Sequence, residues 1–416
     1  MTSSTRVPSG CDVAIVGAGV VGLAAAWRLA EAGVRVCVLD AVGVGGSASS
    51  RNAGLIDAPG WGSRPDLDTL LKMGSLALYE RLTEDGFDLE FERGGRLCVA
   101  LDESEVDPAR ELADRTPDAV LLDGDEARRV EPALGPAVRV AVWTPGSAHA
   151  DPVAACAALA ATAHHAGATI IAPARVVGLD GRAEGGARLT LADGSGLDAE
   201  AVLVTAGAWT ASVIDSLDPG LDVPVTGVVG QMWATAPCPA GTVRTTITAM
   251  ESTIAWSDGG PALTHDTGGV RRTRHLYGRQ RRNGEIVFGG DRVPIGRHAV
   301  GGRAPDDDPA VDDAGITVNH AHAASVLPVL AGLPPVRTWS GIMPFTPDGV
   351  PVIGAVGGVP GLFVAGGLAS SGFNRGPMTG WLVADLMLGR AVPPEVARAR
   401  PDRFAGNRGP ARDGDV

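Results

Sequence analysis

Residues Cys11 to Asp40, CDVAIVGAGVVGLAAAWRLAEAGVRVCVLD, constrain the fold of this chain more than any other stretch. The apolar run from Val13 to Val16 reads as a buried strand. It enters the turn Gly17-Ala18-Gly19-Val20-Val21-Gly22, and an alanine-rich helix follows. A second strand, Val34 to Leu39, ends on an acid. Each part suits a dinucleotide. Gly17 permits the sharp turn, Gly19 lets the backbone approach a pyrophosphate, and Gly22 lets helix and strand pack closely. The helix start, with Val20 and Val21 in its first turn, offers free N–H groups and a partial positive charge. Asp40 stands where a carboxylate binds the hydroxyls of an adenosine ribose. The parts occur in the required order, so the unit predicts a nucleotide ligand. It does not choose between NAD and FAD.

At 416 residues the chain is too long for one simple core, and two domains are expected. A hydrophobic content of 45% marks a globular chain, and its apolar runs are broken before they could span a bilayer. The start, MTSSTRVPSG, lacks a basic region followed by an apolar stretch, so no secretory signal is expected. A net charge of -13 argues against a nucleic-acid partner and for an ordinary cytoplasmic enzyme without a membrane role. Cys11, Cys37, Cys98, Cys156 and Cys238 are scattered without metal spacing, and Cys11 and Cys37 fall on predicted buried strands. Lys72 is the only lysine, so 34 of the 35 basic residues are arginine. That bias suggests a GC-rich coding genome such as an actinobacterium's.

Downstream, a second glycine- and serine-rich loop, AVGVGGSASSRNAGLID, runs into Arg51 and Asn52, and a helix is predicted around Leu67 to Leu82. Residues 87–150 read as short strands and turns, interrupted by a polar helical piece near 103–130. Asp151-Pro152 starts another helix well, because Asp caps and Pro fits the first helical position. Ala201 to Thr205 is an apolar strand ending in a glycine turn, the phase of a returning Rossmann strand. From about 222 to 335 the segments alternate, and Asn283-Gly284 marks a hairpin, so an antiparallel sheet is expected. Arg271, Arg272 and Arg274 read as a solvated strand edge. Asp306–Asp308 and Asp312–Asp313 read as a solvated loop before a helix, with no metal. His164-His165 and His320-x-His322 fall on predicted helices as surface or packing residues. The C-terminal third returns to nucleotide-domain character with GVPVIGAV, GLFVAGGL and PMTGWLVADLMLG.

Four segments in order resemble the D-amino-acid oxidase, glycine oxidase and sarcosine oxidase family of flavoenzymes. They are GAGVVGLAAAWRLAEAGVRVCVLD, GGSASSRNAGLI, AVLVTAGAWT and WSGIMPFTPDGVPVIGAVGGVPGLFVAGGLASSGFNRGPMTG. YGRQRRNGEIVFGG also looks like the family's substrate-sheet hairpin, with Tyr277 at the aromatic position. The resemblance spans nearly the whole chain. It implies an α/β fold in which a Rossmann-type FAD-binding domain (10–86, 145–220 and 336–397) interleaves with an α+β, antiparallel-sheet substrate domain (87–144 and 221–335). A flexible tail, 398–416, would follow. It implies FAD held by the glycine turn and Asp40. Ser47, Ser50, Arg51, Asn52, Ala53, Gly54, Val176, Ala206, Gly207, Trp209 and Gly341 would join them. Gly367 would let the backbone approach the flavin, and Ser370, Ser371, Gly372 and Phe373 would form a loop over it. Pro377 would begin a helix facing the flavin's pyrimidine end.

Relatives that attach flavin covalently use a cysteine before T-P-D or a histidine after the acid strand. Here GIMPF and Ser47 to Arg51 contain neither, so FAD is expected to be non-covalent. Some sarcosine oxidases use a lysine near the flavin to activate oxygen; the only lysine, Lys72, lies far from the matching segment, so that device is expected to be absent, as in glycine oxidase and D-amino-acid oxidase. The family removes a hydride from the carbon bearing an amine and passes it to flavin, so no protein nucleophile is required. The substrate carboxylate needs a grip, for which the forked arginine suits. Where glycine oxidases carry Arg in GLRP, this chain has Gly341-Ile342-Met343-Pro344, so Met343 replaces it. Arg51, Arg281, Arg337 or Arg375 could take over, with Arg375 the first choice. The resemblance thus implies oxidation of a glycine-like or N-substituted glycine, giving glyoxylate, a freed amine and, from O2, peroxide, in specialised metabolism. A D-amino-acid or amine dehydrogenase of the same fold, and a non-catalytic nucleotide-binding partner protein, are the alternatives.

Overall fold

The computed structural model describes residues 7–57, 65–182, 185–217, 223–250, 265–267, 270–272, 275–295, 300–301, 303–305 and 307–404. The opening motif folds as its pattern predicts. Strand Gly10–Val16 is the centre of a sheet ordered Val352–Ala355, Leu362–Gly366, Gly196–Val204, Gly10–Val16, Val36–Leu39, Thr169–Ile171. Its long-range neighbours run parallel, with Val16 paired to Val204 on one side and Leu39 on the other. Only Val352–Ala355 and the hairpin of Val176–Gly181 with Ala187–Leu191 are antiparallel additions. This is the α/β, Rossmann-type half. Parallel strands are buried on both faces, which accounts for the unbroken apolar runs.

Helix Val20–Glu31 leaves the glycine turn and packs along helix Gly372–Met387. The two backbones approach closely because the later helix is small where they touch. A Cβ on Gly380 would lie 2.1 Å from the Val21 carbonyl oxygen, and one on Gly376 2.5 Å from Val20 Cγ2. Trp27 and Trp381 close the far end edge to face, 5.2 Å apart. Pro377 does not begin the later helix. It sits inside, because the helix starts at Gly372. A proline there strips the Phe373 carbonyl of its helical donor. The Tyr79 hydroxyl donates to that oxygen instead (2.9 Å), and Ser75 Oγ accepts from the Met378 amide (3.0 Å). Helix Pro65–Glu84 thus repairs the ladder that Pro377 breaks.

The second sheet runs Pro335–Phe345, Thr226–Thr235, Ile286–Ile295, Tyr277–Gln280, Thr246–Ala249, Arg96–Ala100, Val140–Thr144, Val120–Asp123. All its pairings are antiparallel except Thr246–Ala249 with Arg96–Ala100. The Asn283-Gly284 turn forms as predicted, with Gly284 at φ +89°. Strand Pro335–Phe345 pairs with Thr226–Thr235 along its whole length, so the chain returns to the first sheet only after Phe345, not at 336. Residues 398–404, expected to belong to a flexible tail, are packed against the fold. Ala399 and Phe404 are buried, and Arg403 pairs with Asp348 at 2.9 Å, while 405–416 of that expected tail lie outside the described residues. Arg274 and Asp306 lie outside the described residues, whereas Asp312 caps helix Asp313–Val326. No helix among the described residues is long and apolar enough to cross a membrane.

Arg279 joins the two halves. It is 2% exposed, and its guanidinium donates to the carbonyls of Ala53 (2.7 Å), Ala150 (3.0 Å) and Gln280 (3.2 Å). His149, in the same region, has its pKa pushed down to about 3, first by burial and then by the Arg279 charge. It therefore stays neutral in the folded protein while the unfolded imidazole titrates near 6.5. Between those values the unfolded chain binds one more proton, so stability falls as pH falls from about 6.5 toward 3. The loss is about 1.4 kcal/mol per pH unit from this group. Denaturant midpoints measured at pH 7 and pH 5 should drop less in His149→Gln than in wild type. Equal drops would remove His149 as the cause.

Candidate active site

Between the two sheets lies one cavity of about 1520 Å³. A small-ligand pocket occupies roughly 300–1,000 Å³, so there is room for a long cofactor together with a substrate. One end is the glycine turn. Gly17, Gly19, Val20, Val21, Asp40 and Val176 line it. The helix start has Gly19 as its cap and no capping side chain of its own, so its amides face the cavity. A Cβ on Gly19 would fall 2.8 Å from Ser49 Oγ, which accepts from the Val20 amide at 3.2 Å. Gly22 does not line the cavity. It packs beneath, where a Cβ would stand 2.0 Å from the Gly17 carbonyl oxygen. Asp40 also ties the loops together, accepting from the amides of Ala18 (2.7 Å), Val42 (2.8 Å) and Gly43 (2.9 Å).

The middle of the cavity is walled by Ser47, Arg51, Asn52, Ala206, Gly207, Trp209 and Gly341, and by the loop Ser370, Ser371, Gly372, Phe373. Four residues expected at the cofactor stand behind that wall. Ser50 turns its hydroxyl to the Gly45 carbonyl, and Ala53 is fully buried beneath it with its carbonyl on Arg279. Gly54, at φ +78°, lies against Ala150, and Gly367, at φ +68°, against Thr346. These positions shape the cradle without facing it. Narrow, side-chain-free approaches and open helix amides fit a pyrophosphate-bearing cofactor.

The candidate substrate residues divide. Met343, Tyr277, Arg51 and Arg375 line the cavity. Arg281 and Arg337 do not. Arg281 lies between Asp151 and Glu285, each 3.7 Å away, and Arg337 donates to Glu285 (2.8 Å) while stacking on Trp339. Arg51 staples its own loop, pairing with Asp308 and donating to the carbonyls of Ser340 (3.3 Å) and Gly46 (3.1 Å). Burial lowers its pKa. Arg375 is buried, with one nitrogen on Asp68 at 2.7 Å and another on the Leu368 carbonyl. The first-choice arginine is therefore already engaged. Met343 faces the cavity from strand Pro335–Phe345, opposite Val228, and the Tyr277 hydroxyl rests on Met232 Sδ at 3.0 Å. That wall is apolar.

Another part of the lining, beside Arg375, carries residues that the sequence did not show. Asp57, Asp68, Lys72, Arg96, Asn374 and Arg375 all line the same cavity. Asp68 and Lys72 are four residues apart on helix Pro65–Glu84, a spacing that reads as a solvated surface pair. Both are buried, and Lys72 is only 3% exposed. Lys72 is remote along the chain yet belongs to the site, and burial pulls its pKa down to about 8 against the pull of Asp68 and Asp57. Arg96 pairs with Asp57. The one usable signal was that Lys72 is the sole lysine in a chain that otherwise uses arginine.

The family described as FAD dependent oxidoreductase (DAO) matches residues 12–386. The chain belongs to this family. It is an FAD-dependent amino-acid or amine oxidoreductase of the glycine-oxidase type. It is 27% identical to the glycine oxidase of Bacillus licheniformis over 92% of this chain and 95% of that one. The crystal structure of glycine oxidase from Geobacillus kaustophilus superposes with a TM-score of 0.81 at 28% identity, covering 95% of this chain and 99% of that one. The iminodiacetate oxidase of Chelativorans sp. BNC1 superposes with a TM-score of 0.74 at 26% identity, covering 94% and 98%.

Proposed function

We propose that this FAD-dependent oxidoreductase is an oxidase of N-substituted glycines. The observation that carries the reading is the apolar surface at Met343, with Val228 and Met232 beside it in the cavity, where glycine oxidases carry the arginine that holds substrate. An unsubstituted glycine would leave that surface uncovered, whereas an N-substituent covers it. Iminodiacetate, named for the Chelativorans relative, is itself a glycine substituted on nitrogen. FAD, held without a covalent link, supplies the acceptor for the two electrons removed. The chain's own contribution is to hold the secondary amine and its α-carbon in the cavity, with Tyr277 and Met343 fixing the substituent. The substrate R–NH–CH2–COO⁻ loses a hydride from its methylene and the nitrogen proton, and the resulting imine adds water to give glyoxylate and R–NH2. Dioxygen takes up the two electrons and two protons as hydrogen peroxide.

Purified holoenzyme incubated with N-alkylglycines should yield glyoxylate and peroxide in equal amounts. Turnover confined to D-amino acids would refute the substrate assignment. Anaerobic bleaching with only slow recovery in air would assign a dehydrogenase. Met343→Arg should shift preference toward glycine itself, by about tenfold in the kcat/KM ratio, since an N-substituent would lose apolar contact worth about 0.8 kcal/mol per CH2 and would desolvate the new guanidinium.

A further inference from the structure

We infer that Thr248 ends a distal subsite of the cavity, and that the substrate's N-substituent is an extended chain, apolar along its length and tipped with an oxygen that bonds the Thr248 hydroxyl. This rests on the N-substituted glycine class proposed above and names what the substituent carries. Three observations carry it. The first is extent. Five neighbouring strands of the second sheet, Pro335–Phe345, Thr226–Thr235, Ile286–Ile295, Tyr277–Gln280 and Thr246–Ala249, each place a residue on the cavity. In that order the residues are Met343, Met232, Ile295, Tyr277 and Thr248. Neighbouring strands lie about 4.8 Å apart, so this floor is about 19 Å across. In the cofactor cradle described above these strands take part only through Gly341. N-methylglycine would cover only part of what remains.

The second observation is the surface of the floor. Gly289 pairs with Tyr277 on one side and with Met232 on the other. A Cβ on Gly289 would lie 2.2 Å from Met232 Sδ and 2.6 Å from Tyr277 Cε1, so the two side chains close over the glycine. The Tyr277 ring thus leans away from Thr248, its cross-strand neighbour on the far side. A methylene chain laid along this row meets apolar atoms. The third observation is the end of the row. Thr248 is 5% exposed, and its Oγ1 is buried without a hydrogen-bond partner. Thr246, two residues earlier on the same face of the strand, has an equally unmet hydroxyl but does not line the cavity. Of the two, only Thr248 can be completed by a ligand. A threonine hydroxyl both donates and accepts, so a hydroxyl, ether or carbonyl oxygen at the tip of the substituent satisfies it and removes the cost of leaving it unmet.

The test uses holoenzyme and a ladder of N-(ω-hydroxyalkyl)glycines, each paired with the N-alkylglycine of equal chain length. The second-order rate constant of anaerobic flavin reduction is measured for both members of each pair. In wild type the ratio of hydroxylated to plain substrate should rise with length and peak where the oxygen reaches Thr248. At that length Thr248→Val, which keeps the shape and loses the hydroxyl, should lower the ratio about 10-fold. Thr248→Ser should stay within a few-fold of wild type, and Thr246→Val should leave the ratio where it was. Because each ratio compares two substrates on one protein, a general loss of stability or of flavin cancels. A ratio without a peak, or a peak that Thr248→Val leaves in place, overturns the subsite, while reduction by the N-alkylglycines keeps the substrate reading. If no N-substituted glycine reduces the wild-type flavin, both fall.

Discussion

Gly22→Val should yield a colourless protein whose affinity for FAD is at least about 100-fold below wild type. A Cβ at this position would sit 2.0 Å from the Gly17 carbonyl oxygen and 2.6 Å from Thr205 Oγ1. Neither can retreat cheaply. Thr205 Oγ1 donates to the carbonyls of Val16 and Gly17, 3.1 Å each, and so pins the turn to the returning strand Gly196–Val204. Overpacking of this kind costs about 1–3 kcal/mol. Displacement of the turn then removes the amides that face the cavity, and 100-fold in affinity corresponds to about 2.7 kcal/mol. The flavin-to-protein absorbance ratio and an FAD titration measure it. Gly332→Ala is the control, because nothing lies within 4 Å of the added methyl. Full flavin content in Gly22→Val would show that the turn tolerates the shift and that its third glycine is dispensable.

Arg279→Leu should lower the melting temperature by on the order of 10 °C. The substitution strips two buried carbonyls, Ala53 and Ala150, of charged donors at 2.7 and 3.0 Å. Each such loss costs about 1.5–3 kcal/mol, which makes a total of about 3 kcal/mol or more. Arg279→Lys should recover only part of it, since an ammonium lacks the planar fork that spans both acceptors. A second effect has the opposite sign. The Arg279 charge helps to hold the His149 pKa down, so its removal lets that pKa rise toward 6.5. The mutant should be less stable at pH 7 but lose less on acidification than wild type. An unchanged melting temperature would mean that water replaces the guanidinium, and Arg279 would then not join the two halves.

These two residues mark the boundary of what the chain discloses before it folds. Gly17, Gly19, Gly22 and Asp40 are legible because strand, turn, helix and acid follow one another within 30 residues, and local spacing dictates local geometry. The alternating stretch after residue 222 gave the antiparallel sheet by the same logic. Pro377 misled, because proline at a helix start is the usual reading. The Tyr79 hydroxyl that lets it sit inside the helix comes from a residue nearly 300 positions away.

The arginines misled for a related reason. Sequence offers candidates by type, and only folding assigns their partners. Arg281, Arg337 and Arg375 are each occupied by carboxylates brought from distant segments. Lys72 looked irrelevant because its neighbours in sequence are ordinary helix residues. The sequence by itself determined the family and the cofactor, since these rest on short-range patterns. The tertiary structure decided which charges face the cavity, because burial and ion pairing are set by contacts between segments that no local pattern connects.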